Sequence, residues 1–424
     1  MRPRRGWAGK VTDQAQPVNE GSRRHRPDYV IVVLSALLMV IGLVVVYSIS
    51  PGLSASQHIS QNYFITKQLI DVALGVVAFG VAASLPLRRW ARLAKPLAIA
   101  AAVGSVLVMF TPINEVYPAH RWIRFGGFSF QVAELIKLSL IIGLGVFMSR
   151  QWRRGQLANF NTTLKPLIIL LLAIGVVVAK LQSDLGSAVV IIAIMVVMAF
   201  SVGIPLKKIA MICAVIAGVL VMAIAGTDYR RDRLNAFLHP GVDCKGSSYQ
   251  ACQALTAVGS GGVLGKGLGF GAASYGYLPE ASNDSIFAIM AEKFGFIGSS
   301  AIIVIYGVFI ARLKRLAQRT ADQFGRLIVI GTLTWLSTQM IINVGAMLGL
   351  LPLKGITLPL ISQGGTSLVF LTAALGLAFQ ISRYTSYNVT EPKTSSSQKA
   401  NDNSFNGRRL RRPYNASFTP RPRS

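Results

Sequence analysis

Charge is what this chain has little of, and negative charge least. Asp, Glu, Lys and Arg make up 14% of its 424 residues, against about 25% in an ordinary globular domain, while 52% are hydrophobic. That composition excludes a water-soluble domain of this length. Histidine and cysteine are scarcer still, at 4 and 3 residues, and no His/Cys/Asp cluster has the spacing of a metal site built from protein ligands alone. Met1 to Pro27 has no apolar core of the kind a cleavable signal peptide needs. The glycine run from Gly259 to Gly271 fails as a nucleotide loop, because Gly267 follows Lys266 where Ser or Thr is required and no strand precedes it. It reads as a flexible loop, or as a backbone offering N–H groups to a pyrophosphate. No inverted repeat of the transporter kind stands out.

What the chain has in abundance is apolar runs near the ~20 residues that cross a bilayer. Ten can be read: Tyr29 to Ser48, Ile65 to Leu85, Ala91 to Phe110, Ala133 to Met148, Pro166 to Ala179, Ser187 to Ser201, Ile209 to Ala225, Ile286 to Ala311, Leu327 to Leu350 and Ser367 to Ile381. The expected fold is an all-α polytopic membrane protein of about ten helices over residues 28–387, with a large loop, Gly226 to Asn283, between the seventh and eighth. The polar ends, 1–27 and 388–424, read as disordered basic tails.

The formal charge of +27 is sorted by side. With the N-terminus inside, one face of the membrane collects the basic N-terminal tail, Arg88, Arg89, Arg92 and Lys95, then Arg150, Arg153, Arg154 and Lys165, then Lys207 and Lys208, then Arg312 to Arg326, then the basic C-terminal tail. The other face holds most of the acids: Glu115, Glu134, Asp184, Asp228, Asp232, Asp243, Glu280 and Asp284. This asymmetry is the positive-inside pattern and makes both termini cytoplasmic. The basic tails are then suited to anionic inner-leaflet lipid rather than to nucleic acid.

Asp284 is the acid around which the outer residues can be organised. It stands where a glycine-rich loop meets a long apolar run. If Asn283 or Ser282 caps the helix, Asp284 lies in its first turn, where N–H groups and the helix dipole favour an anion. Helical spacing from there gives Ala288, Ala291, Glu292 and Gly295, a small-residue face with a second acid about 12 Å deeper. Acids are ordinary in first turns, so the surrounding residues must decide. Glu134 and Lys137 are an i,i+3 pair at the start of a span, Lys137 one turn inside it, where an ionisable group is costly. Arg121 precedes them. Lys180 and Asp184 bracket the corner between the fifth and sixth spans, so Arg121, Lys137, Lys180 and Asp184 can gather on one face. The loop from Leu350 to Ser367, with its prolines and glycines, implies irregular backbone tolerated at membrane depth only when buried in protein or lining a cavity. It is expected to wall the site. Cys213 lies in a span as inert packing. Cys244 and Cys252 enclose a short segment in an oxidising compartment, which favours a disulfide over two free thiols.

Four stretches together resemble the SEDS family of RodA/FtsW peptidoglycan polymerases, in order and across essentially all ten spans. They are Arg121-Trp122-Ile123 with Gln131, Glu134 and Lys137; Gln182-Ser183-Asp184-Leu185-Gly186; Leu278-Pro279-Glu280-Ala281 with Asp284, Phe287 and Ala288; and Asn343-Val344-Gly345 with Gly349 to Pro352 and Pro359 to Ser362 before Gly364-Gly365. The chain departs from the family at Ser282-Asn283, Ser285, Ser183, Lys293, Lys354 and Gln363.

The resemblance implies an inverting glycosyltransferase of the bacterial cytoplasmic membrane that polymerises lipid II, the undecaprenyl-pyrophosphoryl disaccharide-peptide, on the outer face, with a lean towards the division-type FtsW branch. It makes Asp284 the catalytic residue, beside Arg121, Glu134, Lys137, Lys180, Asp184, Glu280 and Ser362 as substrate-binding candidates. The expected partner is a class B penicillin-binding protein transpeptidase. No cofactor is required, and a divalent cation, Mg or Mn, is left free to share the pyrophosphate's charge. A lipid II flippase or transporter, and a scaffold recruiting a transpeptidase, are the alternatives.

Overall fold

The computed structural model describes residues 26–111, 121–125, 128–182, 184–211, 244–246 and 248–384, with isolated positions between 214 and 237. Among them, eight helices are long and apolar enough to cross a membrane, and Thr366–Ser382 is a shorter apolar one. Most of the expected seventh span, the tails and much of the large loop lie outside the described residues, so nine of the ten expected runs can be compared.

The helices begin and end where the side chains dictate. Helix α1 (Tyr29–Gln57) starts at Asp28, whose carboxylate accepts from the Val30 N–H, and α2 (Tyr63–Ser84) and α3 (Leu87–Leu107) meet at Pro86. Helix α4 (Val132–Arg153) is followed by α5 (Lys165–Gly175), which wider π-type turns extend at both ends, and by α6 (Leu185–Val202), capped by Asp184 and ended by Gly203 in the left-handed region. Beyond it come a short helix α7 (Tyr249–Ser260), then α8 (Ile286–Arg319), α9 (Gln323–Met347) and α10 (Thr366–Ser382).

Helices α4 and α9 are the interior of the bundle. In α4, 83% of the most apolar window is buried, against 22% in α2 and α3, whose remaining Val, Ile and Leu side chains are left for lipid. Helix α10 packs tightly on α2: a methyl group on Gly376 would come within 2.5 Å of the Phe79 carbonyl, a backbone approach only glycine allows.

Three features differ from the expectation. The loop ahead of α4 is a β-hairpin, β1 (Trp122–Phe125) against β2 (Phe128–Gln131), with Trp122 opposite Gln131. The Gly126-Gly127 pair between the strands is the two-residue hairpin signal that helix-period reading passes over.

The second is a break in α8 at Gly295, with φ 65° and ψ −165°, so the small-residue face does not run on past it. The break leaves the carbonyls of Glu292 and Lys293 and the N–H groups of Phe296 and Ile297 without helical partners. The glycine run supplies them: Lys266 N–H donates to Glu292 O at 2.9 Å and Gly267 N–H to Lys293 O at 3.0 Å, while Gly262 O and Val263 O accept from Phe296 and Ile297 at 2.9 and 3.2 Å. The Glu292 carboxylate also accepts from the Ala272 N–H at 3.1 Å and from Lys266 at 3.2 Å, and Lys293 Nζ donates to Leu268 O at 2.6 Å. The run thus clasps the break in α8 with part of its backbone. Residues 296–319 still reach about 36 Å at about 1.5 Å per residue, enough to span.

The third difference is where α8 starts. Ser285 is its N-cap residue, without a side-chain capping bond, so Asp284 lies in the turn before the helix rather than in its first turn.

Candidate active site around Asp284

Asp284 sits in a tight turn that starts at Pro279. Glu280 takes a left-handed conformation, φ 52°, and its carbonyl accepts from the N–H groups of Asn283 and Ser285 at 3.0 and 3.1 Å. Ser285 Oγ closes the turn by donating to Pro279 O at 2.8 Å. Three successive carbonyls of this turn are then fixed from the bundle. Ser282 O accepts from the Gln363 N–H at 2.9 Å, Asn283 O from Ser362 Oγ at 2.6 Å, and Asp284 O from Asn343 Nδ2 at 2.7 Å. Such triple fixing holds a side chain in one place, which is the geometric requirement for a group that acts on a reacting atom.

The segment between α9 and α10 supplies most of those contacts. It has no regular structure, yet Ile356, Leu358, Leu360, Ile361, Ser362 and Gln363 are all buried, as irregular backbone at membrane depth must be. Asn343 Nδ2 also donates to Ile356 O at 2.6 Å, and Ser362 Oγ accepts from the Leu358 N–H at 2.7 Å, so the residues that fix Asp284's turn also fix this segment. Asp284, Asn343, Lys354, Gly355 and Ile356 line one small pocket, so this loop does wall it.

Gly355 is part of the pocket wall. A methyl group there would stand 3.7 Å from Asp284 Oδ2 and 4.0 Å from Arg121 Nη1, so carboxylate and guanidinium approach the same point. Arg121 Nε donates to Gln182 O at 3.2 Å. Asp184 accepts from Gln131 Nε2 at 3.0 Å and from the Ser187 N–H at 2.9 Å, joining the hairpin to the start of α6. Arg121, Asp184, Asp284 and Ser362 are therefore brought round one segment. Glu280 is on the same turn, exposed, with its carboxylate accepting from Asn283 Nδ2 at 2.5 Å.

Glu134 and Lys137 are placed differently. They form the expected ion pair at 2.7 Å, enclosed by the bundle, with side chains 4% and 1% exposed. Lys137 Nζ also lies 3.5 Å from Gln339 Oε1 and 5.0 Å from the Trp335 ring centroid. Gln339 in turn donates to Thr357 O at 3.0 Å. The pair thus reaches the Asp284 pocket through Gln339 and the 357 position. Lys180 is in the turn that ends at Leu181, and its side chain lies outside what is described.

Two residues of the site and one further buried acid were not singled out from the sequence. Lys354 brings a cation to the pocket wall. Gln339 is a neutral amide inside a span and links Lys137 to Thr357. Asp71 is a buried acid in α2 whose oxygens lie 3.8 and 3.9 Å from where a methyl group on Gly365 would be. A lone acid within an apolar run was the available signal for Asp71. Among the described residues, no group of three or more His, Cys, Asp or Glu side chains could hold a metal ion.

Fold and site together define a polytopic membrane protein with a carboxylate held rigidly at one end of the bundle, beside cationic side chains. The chain belongs to the FtsW, RodA and SpoVE family of cell cycle proteins, whose profile matches residues 28–387. It is 32% identical over 367 residues to stage V sporulation protein E of Bacillus subtilis, covering 86% of this chain and 100% of that one. It is 37% identical over 354 residues to a protein of Thioalkalivibrio sulfidiphilus named "Probable peptidoglycan glycosyltransferase FtsW", covering 82% and 87%. Its structure is similar to a chain in a peptidoglycan synthase complex that coordinates polymerization and crosslinking, with TM-score 0.66, 26% identity and coverage of 85% and 99%. The rod shape determining protein RodA of Thermus thermophilus is also similar, with TM-score 0.59, 26% identity and coverage of 84% and 97%.

Proposed function

We propose that this chain is a peptidoglycan glycosyltransferase that polymerises lipid II at the outer face of the bacterial cytoplasmic membrane. The observation that carries the reading is the fixed turn that presents Asp284 beside Gly355 and Arg121. Glycosyl transfer from a lipid pyrophosphate needs a base for the acceptor hydroxyl and positive charge opposite the leaving pyrophosphate. Asp284 takes the proton; Arg121 and Lys354 bring positive charge to the same pocket wall. Asp184 and Ser362 hold the walls, and the Glu134–Lys137 pair holds the segment behind them. A divalent cation, if used, is shared with the pyrophosphate. The energy of the bond formed resides in the lipid-linked donor.

The naming of the Thioalkalivibrio relative supports the activity, and the likeness to a chain of a synthase complex supports a transpeptidase partner of the class B penicillin-binding type. The fall of basic residues at the opposite ends of the spans supports a cytoplasmic position for both tails, on anionic lipid. The division branch is favoured by the FtsW-named relatives. The test is strand synthesis from lipid II by purified protein in detergent, with and without such a transpeptidase. Glycan strands are expected, and their absence under both conditions contradicts the reading.

A further inference from the structure

The turn that carries Asp284 is held from two directions, and only one is the membrane bundle. On the other side lies α7. Gln250 Nε2 donates to Ser285 Oγ at 3.1 Å, and Tyr249 Oη donates to Tyr277 O at 2.8 Å. Both residues belong to the first turn of a helix only 12 residues long, with no side-chain capping bond at Ser248. A helix that short is marginal by itself, and an uncapped first turn is where it frays. Two anchors oppose fraying. Ser260 Oγ reaches Glu292 at 3.4 Å at the far end, and Cys252, in the first turn, is joined to Cys244 by a disulfide.

We propose that Gln250 is a positioning residue for the reaction at Asp284, and that the Cys244–Cys252 disulfide holds the helix end that presents it. The proposal rests on Asp284 being the base. Gln250 touches no reacting atom; it acts through Ser285, the neighbour of Asp284 in the chain. A serine hydroxyl has one proton to donate. Ser285 donates its proton to Pro279 O, which closes the turn, and its lone pair receives the Gln250 N–H. A carboxylate at position 250 has the shape of the amide but only accepts. It competes with Pro279 O for the same proton and opens the turn.

This gives a signature that packing alone would not. Gln250→Ala is expected to lower kcat for lipid II polymerisation roughly three- to ten-fold, the scale of one neutral hydrogen bond, with KM and Tm unchanged. Gln250→Glu, although isosteric, is expected to lower kcat further than Gln250→Ala. The Cys244→Ser/Cys252→Ser pair is expected to match Gln250→Ala, and adding Gln250→Ala to it should cost nothing more. Hydrogen exchange supplies a readout that needs no activity: the Asn283 and Ser285 amides should exchange faster in Gln250→Glu. A Gln250→Glu variant milder than Gln250→Ala, or unchanged exchange at both amides, overturns the positioning role. Full additivity of the cysteine pair with Gln250→Ala overturns the part given to the disulfide. A wild-type protein that makes no glycan refutes the polymerase reading instead, and the exchange rates then still decide the role of Gln250.

Discussion

Gly355 shows how a single residue serves both the backbone and the chemistry. Its φ of 64° lies in the left-handed region, which costs a residue with a side chain about 1–2 kcal/mol. The space it leaves open is bordered by Asp284 and Arg121. Gly355→Ala is therefore expected to lower stability by about 1–2 kcal/mol and to lower polymerisation more than the loss of folded protein explains; activity per folded molecule equal to wild type would show the wall to be passive. Lys137 makes a contrasting case. Removing one member of a buried ion pair leaves the other charge uncompensated, at about 3–5 kcal/mol. Lys137→Met should consequently accumulate poorly in membranes, while Glu134→Gln/Lys137→Met should recover most of the wild-type level by quantitative blotting. Sequence made the pair legible through its i,i+3 spacing. It did not show the burial, because that comes from packing on Gln339 and Trp335, about 200 residues further along the chain.

At the scale of elements, helix periodicity reads straight through Gly295, because nothing local distinguishes a glycine on a packing face from one that breaks the helix. The distinction comes from the partner segment, whose Gly262–Gly267 backbone makes four bonds in place of the two missing helical ones. Position 295 is correspondingly intolerant. A methyl group there would come within 2.3 Å of the Gly265 nitrogen and 2.5 Å of the Val263 carbonyl, in a backbone region that only glycine occupies readily. Gly295→Ala should abolish stable accumulation, whereas Gly307→Ala, in the same helix with no atom near its added methyl, should accumulate normally. Equal membrane levels of the two would mean that the clasp is not needed for folding. The spans themselves were legible, since a run of about 20 apolar residues has one stable form in lipid. The sequence singled out Asp284 as the candidate, but the way its turn is held was not legible. Ser362 and Asn343 bond to the carbonyls of Asn283 and Asp284 across 79 and 59 residues, and no spacing rule reaches that far.

For the whole molecule, the sorted charges predict a direction. A thiol introduced at Ser60, exposed in the turn between α1 and α2, should react with a membrane-impermeant maleimide in intact cells. One at Arg154, exposed after α4, should react only after permeabilisation. The reverse pattern would invert the topology and put Asp284 on the wrong side for an extracytoplasmic substrate. The segment between α9 and α10, Asn343 of α9 and Gln250 of α7 all bond to the turn at Asp284, and the central claim is that its carboxylate is the base. The most direct measurement compares the rate of glycan synthesis from lipid II by wild type and Asp284→Asn, at equal folded levels. Loss of a general base predicts a fall of roughly 100- to 10,000-fold, with the near-isosteric variant still folded in the membrane. Glycan synthesis by Asp284→Asn at the wild-type rate would contradict the account.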